Sequence, residues 1–176
     1  MSVITATEIE AAIRNVPDFP KPGIQFKDIT PVLGDAALFS GSIDLLAAHH
    51  AESGIDAVVG IDARGFIFAA AAARQLNAAF VPVRKQGKLP YKTIEESYSL
   101  EYGEATVAIH EDALQPGARV LLLDDLLATG GTAAAAAKLV RKVGAEIVEI
   151  GFLIELSFLN GREKLNGHPI HSIITY

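Results

Sequence analysis

Val120-Leu121-Leu122-Leu123-Asp124-Asp125-Leu126-Leu127-Ala128-Thr129-Gly130-Gly131-Thr132 decides the fold. Four successive aliphatics cannot alternate between a wet and a dry face. Residues 120–123 are therefore predicted to be a strand covered on both sides, as in the middle of a parallel sheet. Two adjacent carboxylates at the end of such a strand are costly to bury and should face a solvent crevice. In open α/β sheets that crevice, beyond the carboxyl ends of the strands, is where ligands bind. The turn that follows offers backbone N–H groups, two hydroxyls and a helix N-terminus, which together suit a phosphate. Acids for sugar hydroxyls beside a phosphate cradle point to a ribose phosphate. The turn is not a Walker A loop, since no Lys follows the glycines, and the Gly-x-Gly-x-x-Gly dinucleotide spacing is absent.

Outward from this stretch, strands and helices are predicted to alternate. Helices are expected at 5–14 (with Thr7 a possible cap), 35–52 (capped by Asp35), 65–75 and 132–143, the last stopped by Gly144. Strands are expected at 56–61, 79–83, 106–110, 147–154 and 170–175. This alternation indicates one α/β domain with a mostly parallel sheet and helices on both faces. Residues 15–31 hold Pro17, Pro20, Pro22, Gly23 and Pro31, so they read as extended and irregular, packed through Phe19, Ile24 and Phe26. Residues 84–97 are polar and basic, with Gly87 and Pro90, and read as a mobile loop.

The 176 residues suffice for one sizeable core. At 50% hydrophobic residues and a mean hydropathy of +0.31, the chain should be globular. No apolar run approaches the roughly 20 residues of a membrane span, and residues 1–10 lack the pattern of a signal peptide. With no cysteine there is no disulfide framework or thiolate chemistry, and a cytoplasmic location is expected. A net charge of −6 argues against a nucleic-acid surface. An anionic ligand therefore needs a local basic patch.

Arg64 beside a helix N-terminus is either a second anion contact or an ordinary surface arginine. Arg84, Lys85 and Lys88 are either a solvated loop or the patch that receives a polyanion. Phe26 either joins the core or stacks on a ring. Glu101, between Tyr98 and Tyr102, reads on its own as a surface acid. His49, His50, His110, His168 and His171 show no metal spacing and read as structural or surface residues.

Residues 124–132 resemble the phosphoribosyl pyrophosphate signature of the type I phosphoribosyltransferases. Further blocks narrow the resemblance to the adenine-specific family: Pro17-Asp18-Phe19-Pro20-Lys21-Pro22-Gly23-Ile24-Gln25-Phe26-Lys27-Asp28-Ile29-Thr30-Pro31, Gly60-Ile61-Asp62-Ala63-Arg64-Gly65-Phe66, Arg84-Lys85-Gln86-Gly87-Lys88-Leu89-Pro90, Tyr98-Ser99-Leu100-Glu101-Tyr102-Gly103 and Gly161-Arg162-Glu163-Lys164-Leu165. Ala63 stands where the family often has Ser. The resemblance implies a single doubly wound domain over 1–176, with an N-terminal hood at 1–34 and a lid at 84–105 that includes Tyr102. It implies that Asp124 and Asp125 hold the ribose, and that Ala128, Thr129, Gly130, Gly131 and Thr132 hold the 5′-phosphate. Asp62, Ala63, Arg64, Arg84, Lys85 and Lys88 would hold pyrophosphate, with a cis peptide at Asp62–Ala63. Gln25, Phe26 and Lys27 would read adenine, and Glu101 would exchange the purine proton. Magnesium held mainly by substrate oxygens, with few or no direct protein ligands, is implied too. So is a homodimer, with neither nucleic acid nor membrane as partner.

Two rivals carry the same signature. One is a transferase for another base, which would lack the hood block together with Asp62-Ala63-Arg64-Gly65-Phe66. The other is a nucleotide-sensing regulator, which would typically lose Glu101 or the basic loop.

Overall fold

The computed structural model of the chain describes residues 3–100 and 103–176. Helix α1 (Ala6–Ala12) is capped by Thr5 rather than Thr7. Glu8 decides this: its carboxylate accepts the Thr5 N–H at 2.8 Å, while Thr5 Oγ1 accepts the Glu8 N–H at 3.3 Å. Such reciprocal bonds satisfy two N–H groups that a helix start otherwise leaves open. The stretch expected to be irregular contains a hairpin instead. Strands β1 (Arg14–Pro17) and β2 (Gln25–Asp28) pair antiparallel, with Val16 opposite Phe26. The prolines are confined to its end and tip, where no ladder N–H is needed. One turn of helix, α2 (Thr30–Leu33), leads to α3 (Ala36–Ala47). Asp35 caps α3 as expected, accepting from Ala37 and Leu38 N–H. The α-helix then tightens into a 3-10 turn at Ala48–His50, short of the expected end.

Strand β3 (Ala57–Ile61), helix α4 (Gly65–Leu76) and strand β4 (Ala79–Lys85) form the first crossover unit. The segment expected to be a loop from residue 84 is largely ordered pairing. Arg84 and Lys85 finish β4, and β5 (Thr93–Ser99) pairs antiparallel with β6 (Glu104–His110). Alternating partly buried and exposed residues along β5 sit on a half-covered edge, a pattern hidden by their polarity. Strand β7 (Arg119–Leu127), helix α5 (Gly131–Lys142), and strands β8 (Glu146–Glu155) and β9 (Ile170–Thr175) complete the fold. β7 runs four residues beyond the expected 120–123, so Asp124 and Asp125 lie within the strand.

The seven strands of the main sheet run β5-β6-β4-β3-β7-β8-β9. β4, β3, β7, β8 and β9 are mutually parallel, and β6 is antiparallel to β4. Val120 and Leu122 pack with Ala136 and Val140 of α5 on one face. Leu121 and Leu123 pack with Phe68, Ala72 and Leu46 of α4 and α3 on the other. Burial on both faces is the reason for the unbroken aliphatic run. From β3 the chain winds outward through β4; from β7 it winds the opposite way through β8. The strand order therefore reverses between β3 and β7, which creates a crevice at their carboxyl ends. Among the described residues no helix is long and apolar enough to cross a membrane.

Candidate active site at the switch point

The loops that leave β3 and β7 meet over that crevice. A cavity of about 310 Å³ is lined by Asp62, Ala63, Arg64, Asp124, Asp125 and Thr132. A smaller one of about 80 Å³ adjoins it, enclosed by the turn from Leu127 through Thr132. Asp124, Leu126 and Thr132 border both.

The two acids differ in surroundings. Asp125 is 7% exposed, and its carboxylate pairs with the Arg64 guanidinium. Asp124 accepts the Asp125 N–H at 2.9 Å. Burial raises the Asp124 carboxyl well above the ordinary carboxylate range, and the neighbouring Asp125 charge raises it further. Gly65 makes this arrangement possible, since a Cβ there would sit 2.6 Å from Asp124 Oδ1. The α4 N-terminus can thus close directly against β7.

The Asp62–Ala63 peptide is cis, as expected. Asp62 accepts from Arg84 Nε at 2.9 Å, and Arg84 also donates to the Lys88 carbonyl at 3.1 Å. Arg84 is thereby tied to the cavity wall, whereas Lys85 and Lys88 are exposed at the turn beyond it. Phe26 packs edge-on against Phe19 at 5.1 Å between centroids, and the Arg64 guanidinium lies 5.5 Å from the Phe26 ring. This brings one side chain of the hood strand to the crevice. Alternation along β2 turns Gln25 and Lys27 to the other face. Lys27 donates to Asn15 Oδ1 at 2.6 Å and lies 3.5 Å over the Tyr176 ring, so its ammonium serves the packing of the hood. Glu101 and Tyr102 lie outside the described residues.

The turn 128–132 is held from behind. Gly130 adopts φ +76°, and a Cβ on it would collide with the Gly161 carbonyl. A Cβ on Gly161 would in turn strike the Ala128 carbonyl. A Cβ on Gly131 would meet the Tyr98 ring at 2.9 Å, and Thr132 Oγ1 donates to the Tyr98 hydroxyl at 2.9 Å. Arg162, next to Gly161, forks onto buried Glu155 through two bonds of 2.7 Å. That guanidinium holds the Glu155 carboxyl below its usual range. Tyr98, Gly161, Arg162 and Glu155 thus join the site as supports. All stand at least 23 residues from the turn in sequence, and only the Tyr98–Gly103 and Gly161–Leu165 blocks pointed toward any of them.

The Phosphoribosyl transferase domain model matches residues 33–168. An adenine phosphoribosyltransferase of Chloroflexus aurantiacus is 53% identical over 98% of this chain and 100% of its own length. The chain belongs to the adenine phosphoribosyltransferase family. The Roseiflexus member is 54% identical over 97% of this chain and 99% of its own. A Rhodothermus marinus adenine phosphoribosyltransferase structure superposes with a TM-score of 0.93 at 52% identity, covering 97% of this chain and 98% of that one. The Saccharomyces cerevisiae enzyme, solved with an imino-altritol bisphosphate and adenine, gives 0.91 at 41% identity, covering 96% and 97%.

Two outcomes are expected from this geometry. Gly130→Val forces a β-branched residue into a left-handed conformation against Gly161, so calorimetry should show donor affinity reduced at least about tenfold. Asp124→Asn removes a carboxyl whose proton is held more tightly in the folded chain than in the unfolded one. Below about pH 3.9 both states are protonated and the variant gains nothing. As pH rises through the ordinary carboxylate range and above it, the wild type loses stability and the variant does not. The melting-temperature difference between them should therefore widen in the variant's favour from pH 4 to pH 8, and a constant difference would contradict the assignment.

Proposed function

We propose that the protein joins adenine to 5-phosphoribosyl 1-pyrophosphate, giving AMP and pyrophosphate in purine salvage. The observation that carries this reading is the pair of adjoining cavities at the switch point. They share Asp124 and have a phosphate-sized turn on one side and Arg64 on the other. Asp124 and Asp125 face the ribose hydroxyls, and the Asp125 carboxylate favours positive charge as it develops at C1′. The turn 128–132 holds the 5′-phosphate through its N–H groups and hydroxyls. Arg64 and Arg84 receive the leaving pyrophosphate, with Asp62 orienting Arg84, and Lys85 and Lys88 add charge from the turn beyond. Fixing both ends of the donor aligns C1′ with N9 of the base.

Phe26 gives the purine an aromatic face, while Gln25 and Lys27 contribute main-chain groups. N9 bonds to C1′ as the C1′–oxygen bond to pyrophosphate breaks, and Glu101 takes the N9 proton. The arm from 84 to 105 acts as the lid that keeps water from the sugar cation. Magnesium suits this site because the donor is polyanionic and Asp62 and Asp125 line the cavity beside it. When bound, it neutralises pyrophosphate charge while most of its ligands are substrate oxygens and water.

A homodimer is part of the proposal. Ile67 of α4 and Phe80 of β4 are both more than a third exposed, and Phe80 packs edge-on against Phe66, apolar surface that a second copy would cover. The cysteine-free, acidic sequence suits the cytoplasm.

The deciding assay offers adenine, hypoxanthine, guanine, xanthine and orotate separately with the donor and magnesium. AMP from adenine alone is expected, and Asp125→Asn should keep the fold but slow turnover by more than about tenfold. Product from another base would overturn the hood's role, and no product from any base would favour the sensor. Sedimentation equilibrium should give twice the 18.6 kDa chain mass, and a monomer would remove the dimer from the proposal.

A further inference from the structure

At the opposite end of the sheet, a second cluster of functional side chains converges. His49 and His50 are consecutive residues of the 3-10 turn that ends α3. Both Nε2 atoms nevertheless reach one oxygen, Glu149 Oε1, each at 3.0 Å. The two rings lie 4.1 Å apart, and the His171 ring stands 5.1 Å from that of His49. His50 is 6% exposed, and its Nδ1 lies 3.4 Å from Ser53 Oγ, an arrangement that commits Nε2 to the cluster.

The backbone is built to bring this carboxylate here. Along β8, Val120 of β7 faces Ile147 but Leu121 faces Glu149, so Val148 is an inserted bulge residue. Without the bulge, 147 and 149 would share a face. Instead Ile147 packs toward α5, and residues 149, 151 and 153 turn to the α3 side: Leu153 is in that core, and a Cβ on Gly151 would approach Leu46. Bulges characteristically re-aim a side chain. His171 is in register with Gly151, so it stands on the same face.

We propose that His49, His50 and Glu149 form a binding site for a divalent cation of the zinc class, with His171 beside its open position. One ligand atom from each of the three residues lies within 4.8 Å of the other two. Around zinc, bonds of about 2.0–2.2 Å place ligands roughly 3.3–3.6 Å apart, so small side-chain adjustments close the set. Imidazole nitrogens favour zinc over magnesium, which takes oxygen ligands. The cation would take the place of the two contacts that both rings now make with one oxygen, and would staple the end of α3 to β8. Glu149 and Glu155 are six residues apart on one strand, so this site is about 20 Å from the phosphate turn and independent of the reaction.

The test uses tag-free, chelator-treated full-length protein, titrated with Zn²⁺ alone by calorimetry and with Co²⁺ by visible absorption. One Zn²⁺ per chain with Kd of about 1 µM or below is expected, together with the absorption of tetrahedral Co²⁺ and a Zn²⁺-dependent rise in Tm. His50→Ala and Glu149→Gln should each weaken binding at least about tenfold. Because His50 is buried, His49→Ala provides a variant at an exposed ligand whose fold can be checked by circular dichroism. Equal Zn²⁺ affinity in the wild type and folded His49→Ala, or no binding by the wild type at about 100 µM Zn²⁺, would overturn the site.

Discussion

The crevice depends on holding two adjacent carboxylates inside a strand without letting their charge expel them. Asp125 is paired with Arg64, a cation delivered by the neighbouring crossover unit. Asp124 is left with a backbone N–H and a buried setting that favours its proton. Neither solution works alone. The pairing requires β3 and β7 to be adjacent, and the closeness of α4 to β7 requires Gly65 to lack a side chain. Removing Arg64 would leave Asp125 buried and uncompensated, which is the costly way to break an ion pair. The acid pair, the switch point and the glycine at the α4 start therefore stand or fall together.

The phosphate turn follows the same logic one layer further out. A loop made of small residues offers open N–H groups but little packing of its own. Rigidity comes from what lies behind it: the Gly161 backbone against Gly130 and Ala128, and Tyr98 against Gly131 and Thr132. The Gly161 turn is pinned by Arg162, whose planar fork matches both oxygens of Glu155. Glu155 ends the strand beside β7, so the support reaches back into the sheet. Tyr98 belongs to the antiparallel arm, which ties the arm to the phosphate turn.

Much of this was legible in the residues. Leu121 and Leu122 marked a strand buried on both faces, because no half-exposed strand carries such a run. Asp35 and Gly144 marked helix ends through side-chain capping and a left-handed φ. What stayed hidden has physical causes. β5 is rich in Glu and Ser, and a polar edge strand looks like a loop until its partner is known. The hairpin at 14–28 was masked by prolines that occupy its tip, Pro20 and Pro22, and the last position of its first strand, Pro17. Thr5 and Thr7 each have a Glu three residues on, Glu8 and Glu10, so spacing could not choose between them; the structure forms the Thr5–Glu8 pair. Lys27 looked like a site residue but is held by Asn15 and Tyr176, 149 residues away at the end of β9. Tertiary partners of this kind leave no local pattern.

The histidine cluster shows the same limit from the other side. Adjacent histidines on a helix should diverge, and no spacing rule links them to an acid 99 residues later. One inserted residue in β8 reverses the facing of Glu149 and creates the convergence. The bulge sits near the start of β8, while the crevice is at the carboxyl ends of the strands. Parallel strands all end on the same side, so the chemistry is gathered at one rim of the sheet and the other rim is left free to vary. A change in register that would destroy the acid pair at one rim can build a new set of ligands at the other.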